Sequence, residues 1–165
     1  MVCLFGDVKR MKIITIVDED FINYKKACMY IAFPHCSFKC GCDLCQNSDL
    51  AKQMPINVSY SSIVNRYINN EYTNAVVFAG LEPFDDYYDL LNLIIYFRKA
   101  TDDDIVIYTG YNKDEIYDKI EEIKSYNLKN IIIKFGRYIP NESVHYDDVL
   151  GVNLASSNQY AERIS

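Results

Sequence analysis

The chain has 165 residues, 50% of them hydrophobic, with 17 basic against 23 acidic side chains and a net charge of −6. That length suits one domain with its own core, and the negative balance without a basic block argues against a nucleic-acid backbone as partner. No apolar run approaches the about 20 residues of a membrane span, and Met1-Val-Cys-Leu-Phe-Gly-Asp7 lacks the basic start and sustained apolar core of a secretory leader. A reducing, cytoplasmic setting is therefore expected, and a disulfide framework is not.

In chain order, an edge strand is predicted over residues 12–17 and a buried strand over 27–33, ending at Pro34-His35. Next comes Cys36-Ser-Phe-Lys-Cys40-Gly-Cys42-Asp-Leu-Cys45, four cysteines in ten residues. Thiolates ligate zinc and iron–sulfur clusters. A four-thiolate zinc site usually draws two ligand pairs from knuckles about a dozen or more residues apart, and no second pair follows Cys45. The spacing therefore favours an iron–sulfur cluster, with zinc and free structural thiols as the alternatives. Cys3 and Cys28 stand alone, and packing accounts for both.

A helix follows over 58–68, with Ile63, Val64, Tyr67 and Ile68 at helical spacing and Asn57 or Ser59 as its cap. Residues 75–79 read as a central strand stopped by Gly80-Leu81-Glu82-Pro83, and Asp85 or Asp86 then caps a helix whose buried face carries Leu90, Leu91, Ile94, Ile95 and Phe97. A strand over 105–108 breaks at Thr109-Gly110, a helix over 113–126 puts Ile116, Ile120 and Ile123 on one stripe, and residues 130–134 form a further strand. His145 is placed in a surface loop, and the polar terminal segment reads equally well as an exposed tail. Alternating strands and helices imply parallel βαβ units with both sheet faces covered. Ligands of such sheets bind at the carboxyl ends of the strands, where the cysteine loop, residues 80–83 and Thr109-Gly110 all fall. For residues 80–83 alone, a plain strand-to-helix turn is the simpler account, as a strand-end turn is for Thr109-Gly110. Their common rim is what makes them site candidates. The fifteen tyrosines and absent tryptophan read as bulky packing with a polar tip.

These motifs resemble the radical S-adenosylmethionine superfamily, and within it the small activating proteins of anaerobic ribonucleotide reductases. The likeness lies in residues 36–47, 80–83, 108–111, Lys134-Phe-Gly136 and Ala155-Ser-Ser-Asn-Gln159. Residues 1–25 are not diagnostic, and the whole chain is taken as one domain. The resemblance implies a compact, incomplete (β/α) barrel with a mostly parallel sheet. It implies a 4Fe-4S cluster on three cysteines whose open iron takes S-adenosylmethionine, which is cleaved reductively to methionine and a 5′-deoxyadenosyl radical.

The third cysteine departs from the family spacing, since Asp43 stands where it is expected. Cys36, Cys40 and Cys45 keep both outer anchors of the pattern and are the favoured metal ligands; Cys36, Cys42 and Cys45 are the alternative. Gly80, Glu82 and Pro83 match the family's Gly-Gly-Glu-Pro, with Leu81 in place of the second glycine, and would meet the amino group of S-adenosylmethionine. Thr109 and Gly110 would approach its ribose or adenine. The implied partners are the large glycyl-radical subunit of an anaerobic ribonucleotide reductase and a small reducing protein of flavodoxin or ferredoxin type. Nucleic acid and membrane are not expected partners, and the short chain argues for a protein substrate over an enclosed small molecule. The rival functions are a radical enzyme acting on a nucleoside-like molecule, similar to 7-carboxy-7-deazaguanine synthase, and a non-catalytic iron–sulfur or zinc module.

Overall fold

The computed structural model describes residues 9–41 and 43–165. Its elements, in order, are β1 (Arg10–Ile13), β2 (Thr15–Asp20), β3 (Cys28–Phe33), β4 (Ile56–Ser59), α1 (Tyr60–Ile68), β5 (Ala75–Gly80) and α2 (Tyr87–Arg98). Then follow β6 (Asp104–Tyr108), α3 (Tyr117–Ser125), β7 (Ile131–Phe135), β8 (His145–Asp147), β9 (Val152–Leu154) and β10 (Tyr160–Arg163). Short 3-10 helices precede α2 and α3.

The main sheet has six strands in the order β10-β7-β6-β5-β3-β2. β3, β5, β6 and β7 are parallel neighbours, and β2 and β10 close the two edges antiparallel. The parallel strands step one way along the sheet in chain order, and crossovers of one hand that step the same way lay their helices on one side. All three helices accordingly share one core with Met29, Ile31 and Phe33 of β3, Val76 and Phe78 of β5, and their counterparts on β6 and β7. Side chains alternate along a strand, so Cys28, Ala75, Val77, Val106 and Ile132 face the other way, against Tyr24, Leu150 and Leu154. Among the described residues, helices therefore cover one face; irregular chain and the β8–β9 hairpin cover part of the second, and a cavity opens on the rest.

Several boundaries differ from those expected. The single strand expected over 12–17 is two: β1 pairs with β4 in a small separate sheet, and β2 is an edge of the main one. Val58 lies within β4 instead of opening a helix, and α1 starts after Ser59, whose hydroxyl accepts the Ser62 N–H. The turn into α2 begins earlier than Asp85: Glu82 caps it, its carboxylate accepting the Phe84 N–H, with Pro83 in the first turn. His145 lies in β8, not in a loop. The terminal segment is no exposed tail, since Ser156 and Gln159 are buried and the Gln159 amide ties Ala155 and Ser156 to Gly136. Tyr24, Tyr60 and Tyr67 bury their rings while their hydroxyls reach the carboxylates of Asp104, Asp89 and Asp103, whereas Tyr72, Tyr88, Tyr117, Tyr126, Tyr146 and Tyr160 are exposed.

Gly80 ends β5 at φ +91°, and a Cβ there would stand 2.8 Å from Ala32 on β3. Both the left-handed backbone and the close approach require glycine. Gly80→Ala is expected to cost about 2–4 kcal/mol of stability, read by chemical denaturation.

Candidate metal centre

Leaving β3, the chain is stitched at once to the turn after β5. Phe33 and His35 carbonyls accept the N–H groups of Leu81 and Glu82 at 3.2 and 2.8 Å, and the far end of the cysteine loop is held by the Asn47 side chain donating to Gly80 O at 2.9 Å. Between these anchors, Cys36, Cys40 and Cys45 are free thiols that line the wall of one cavity of about 590 Å³. The Phe38 N–H points at Cys36 Sγ (3.2 Å) and the Asn47 N–H at Cys45 Sγ (3.4 Å). Each donor lies two residues beyond its cysteine, so the loop presents N–H groups where thiolate charge would reside. Phe38 takes a φ of +51° to do so, a conformation a bulky residue adopts only when its surroundings impose it.

Without a metal, burial pushes the Cys36 thiol up to about 11, the Phe38 N–H opposing, and burial also raises Cys40. Ligation must therefore release protons. Among the described residues no three His, Cys, Asp or Glu donors are gathered tightly enough for a single ion. What the three thiols share is a cavity wall, and a four-iron cluster is a larger body than one ion. A soft, all-sulfur donor set in a sheltered loop fits such a cluster. Cys42 and Cys3 lie outside the described residues. Cys28 is buried, its thiol against the Asp20 carbonyl, and serves packing.

The candidate S-adenosylmethionine residues line the same cavity, except Pro83, which is buried in the turn beneath it. Glu82 joins them. Its Oε1 accepts from Phe84 N (3.1 Å) and Thr109 Oγ1 (2.8 Å), and its Oε2 accepts from Gly110 N (2.8 Å). Three hydrogen bonds leave one of the roughly four acceptor positions of a carboxylate. Glu82 thus locks the ends of β5 and β6 together as well as facing the cavity. Burial pushes it up to about 7, against its three donors.

Sequence reasoning assigned no role at the site to Lys134, Asp85 and Asp86. Lys134 ends in the cavity, donating to Gly136 O at 2.8 Å, and burial holds it down to about 8 with Glu82 opposing. Its signal was available: a single lysine in an otherwise apolar buried strand has to meet something polar. Asp86 stands at the N-cap position of α2, as expected for one of the two aspartates, but its side chain makes no cap hydrogen bond; Asp85 and Asp86 grip the cysteine loop. Asp85 Oδ2 accepts the Ser37 N–H at 2.6 Å, and Asp86 Oδ1 pairs with His35 Nδ1 at 2.5 Å. Arg137, also on the cavity wall, forms a two-pronged pair with Glu115, each contact 2.8 Å, which holds that carboxyl down to about 2.

The profile of the 4Fe-4S single cluster domain matches residues 25–159, most of the chain. The chain belongs to the 4Fe-4S single cluster domain family. Membership favours iron–sulfur over zinc and over free thiols, and the matched span takes in the cysteine loop, Gly80, Glu82, Pro83, Thr109, Gly110 and the buried terminal segment. No curated protein and no solved structure matches the chain. No helix among the described residues is long and apolar enough to cross a membrane.

Burial of Glu82 carries a pH dependence for the apoprotein. The folded protein holds this proton more tightly than the unfolded chain between pH about 4.5 and about 7. Stability therefore falls as pH rises through that window, by at most about 1.4 kcal/mol per pH unit from this group. The lowered carboxyls of Asp18, Asp104 and Glu115 act below it, and Asp86, raised mainly by burial, adds in the same sense as Glu82. Denaturation at pH 5 and pH 7 should show a steeper fall for the wild type than for Glu82→Gln.

Proposed function

We propose that this iron–sulfur protein is a radical S-adenosylmethionine activase. It would cleave S-adenosylmethionine reductively and deliver the radical to a glycine of the large subunit of an anaerobic ribonucleotide reductase. Cys36, Cys40 and Cys45 would hold the cluster, which would supply an open iron and the single electron needed to break the bond from sulfur to the 5′ carbon. The electron comes from a small reducing protein of flavodoxin or ferredoxin type. The 5′-deoxyadenosyl radical then takes the glycine Cα hydrogen and leaves as 5′-deoxyadenosine.

One observation carries the reading. The thiol loop, the Gly80-to-Pro83 turn and the Thr109-Gly110 turn come together around one cavity at the carboxyl ends of neighbouring parallel strands, where sheets of this kind hold ligands. Glu82 offers its remaining acceptor position to an ammonium group, and Lys134 offers a buried cation to a carboxylate, so the cavity suits the two charges of an amino-acid moiety. One-way stepping of the strands with every helix on the same face is the layout of a partial (β/α) barrel, and we read the fold as that. Ile22, on the cavity lining and 79% exposed, with Phe21 before it in the chain at 67%, suits contact with a protein.

The cavity volume favours a second reading. About 590 Å³ is within the range of small-molecule sites, so the shortness of the chain does not by itself exclude an enclosed nucleoside-like substrate. The test that separates the two is to incubate the reduced protein and S-adenosylmethionine with the reductase large subunit. A glycyl doublet by electron paramagnetic resonance is expected. 5′-Deoxyadenosine without any radical on the subunit would leave the cleavage reading standing and remove the partner.

A further inference from the structure

Cys36 sits between two residues that each hand a hydrogen to a carboxylate. His35 pairs with Asp86, and the Ser37 N–H goes to Asp85 Oδ2 at 2.6 Å. The other Asp85 oxygen accepts from the Tyr111 hydroxyl, also at 2.6 Å. Among the described residues Asp85 makes no ion pair. Two cations stand over the ring of Tyr111 rather than pairing with Asp85: Lys39 at 4.7 Å and Arg137 at 5.3 Å, Arg137 being also paired with Glu115.

We propose that Asp85 is a positioning residue that holds the reduction potential of the cluster low. Two effects act in the same direction. Backbone N–H groups directed at cluster or thiolate sulfur stabilise the reduced state, because reduction adds negative charge to the sulfur shell. The Ser37 N–H, next in the chain to a ligand, is instead turned away onto a carboxylate. That carboxylate then stands beside the Cys36 end of the site with neutral donors, the Ser37 N–H and the Tyr111 hydroxyl, and no paired cation to offset it, and adding an electron near a fixed negative charge is disfavoured. The electron-transfer step involved is one-electron reduction of the cluster by an external low-potential donor, with no bond made or broken. The inference rests on membership of the 4Fe-4S single cluster domain family, not on what the reduced cluster goes on to do.

The experiment is a redox titration followed by electron paramagnetic resonance, on the full chain reconstituted anaerobically, without S-adenosylmethionine. It is run on wild type, Asp85→Asn and Tyr111→Phe, with iron and sulfide measured for each. Asp85→Asn removes the charge and should keep the cluster with its midpoint shifted upward. Tyr111→Phe keeps the carboxylate, and the ring under Lys39 and Arg137, but deletes the hydroxyl that partly neutralises Asp85; its midpoint should shift downward. A merely structural clamp would move both variants the same way, and that result overturns the proposal, as does an unchanged or lower midpoint in a fully loaded Asp85→Asn. Should Asp85→Asn fail to take up a cluster, Tyr111→Phe decides alone: a downward shift upholds the proposal, and an unchanged or upward one overturns it.

Discussion

Replacing Cys36, Cys40 or Cys45 by serine is expected to strip the protein of its cluster. Each variant, reconstituted anaerobically, should retain less than about a tenth of the wild-type iron and sulfide, since losing even an outer-shell partner of a metal site costs about 10–100-fold and these are the ligands themselves. The three thiols share one cavity wall, and the loop that carries them is anchored at both ends to the turn after β5. Cys28→Ser is the control, because that thiol is buried against Asp20 away from the loop; it should keep its cluster and lose only stability. Cys42→Ser should also keep it. Loss in Cys42→Ser with retention in Cys40→Ser would instead select Cys36, Cys42 and Cys45.

Glu82→Gln should be the most damaging change among the remaining cavity residues. An amide has one acceptor oxygen, whereas the carboxylate accepts from Phe84 N and Thr109 Oγ1 on one oxygen and from Gly110 N on the other. In either orientation the new NH2 faces a backbone N–H. The cost to stability should be about 1–3 kcal/mol. Affinity for S-adenosylmethionine should fall further, by about 1.5–3 kcal/mol, roughly ten- to a hundred-fold in the dissociation constant, from loss of a charge-assisted hydrogen bond. Equilibrium binding on cluster-loaded protein reads the second effect apart from the first. A variant that loses stability but binds as tightly as wild type would make Glu82 a strut between β5 and β6 and nothing more.

How far the chain could be read in advance depended on how local each feature is. β3, β5, β6 and β7 are apolar runs of five or six residues, and the stripes of α1, α2 and α3 repeat within each helix, so their own residues announce them. β4 does not: Ile56 and Val58 alternate for only one period before the helix begins, and the strand exists because its register with β1 sets Ile56 opposite Ile13. β8 and β9 have three residues each and exist only as a ladder with one another, and the four residues of β10 form a strand because β7, distant in sequence, offers them an edge. Ile14, between two strands of different sheets, splits what reads as one. At the site, the cysteines and Glu82 were legible from type and spacing. Lys134, Asp85 and Asp86 took on their roles only when parallel register brought the ends of β3, β5, β6 and β7 to a common rim.

The central claim is that the cavity cleaves S-adenosylmethionine at a cluster on the cysteine loop. Anaerobically reconstituted protein, reduced and incubated with S-adenosylmethionine, should form 5′-deoxyadenosine and methionine in equal amounts, measured by liquid chromatography with mass detection, and only when cluster and reductant are both present. A fully loaded, reducible cluster that leaves S-adenosylmethionine intact, with its paramagnetic resonance spectrum unchanged by the addition, would contradict the account and leave an electron carrier in its place.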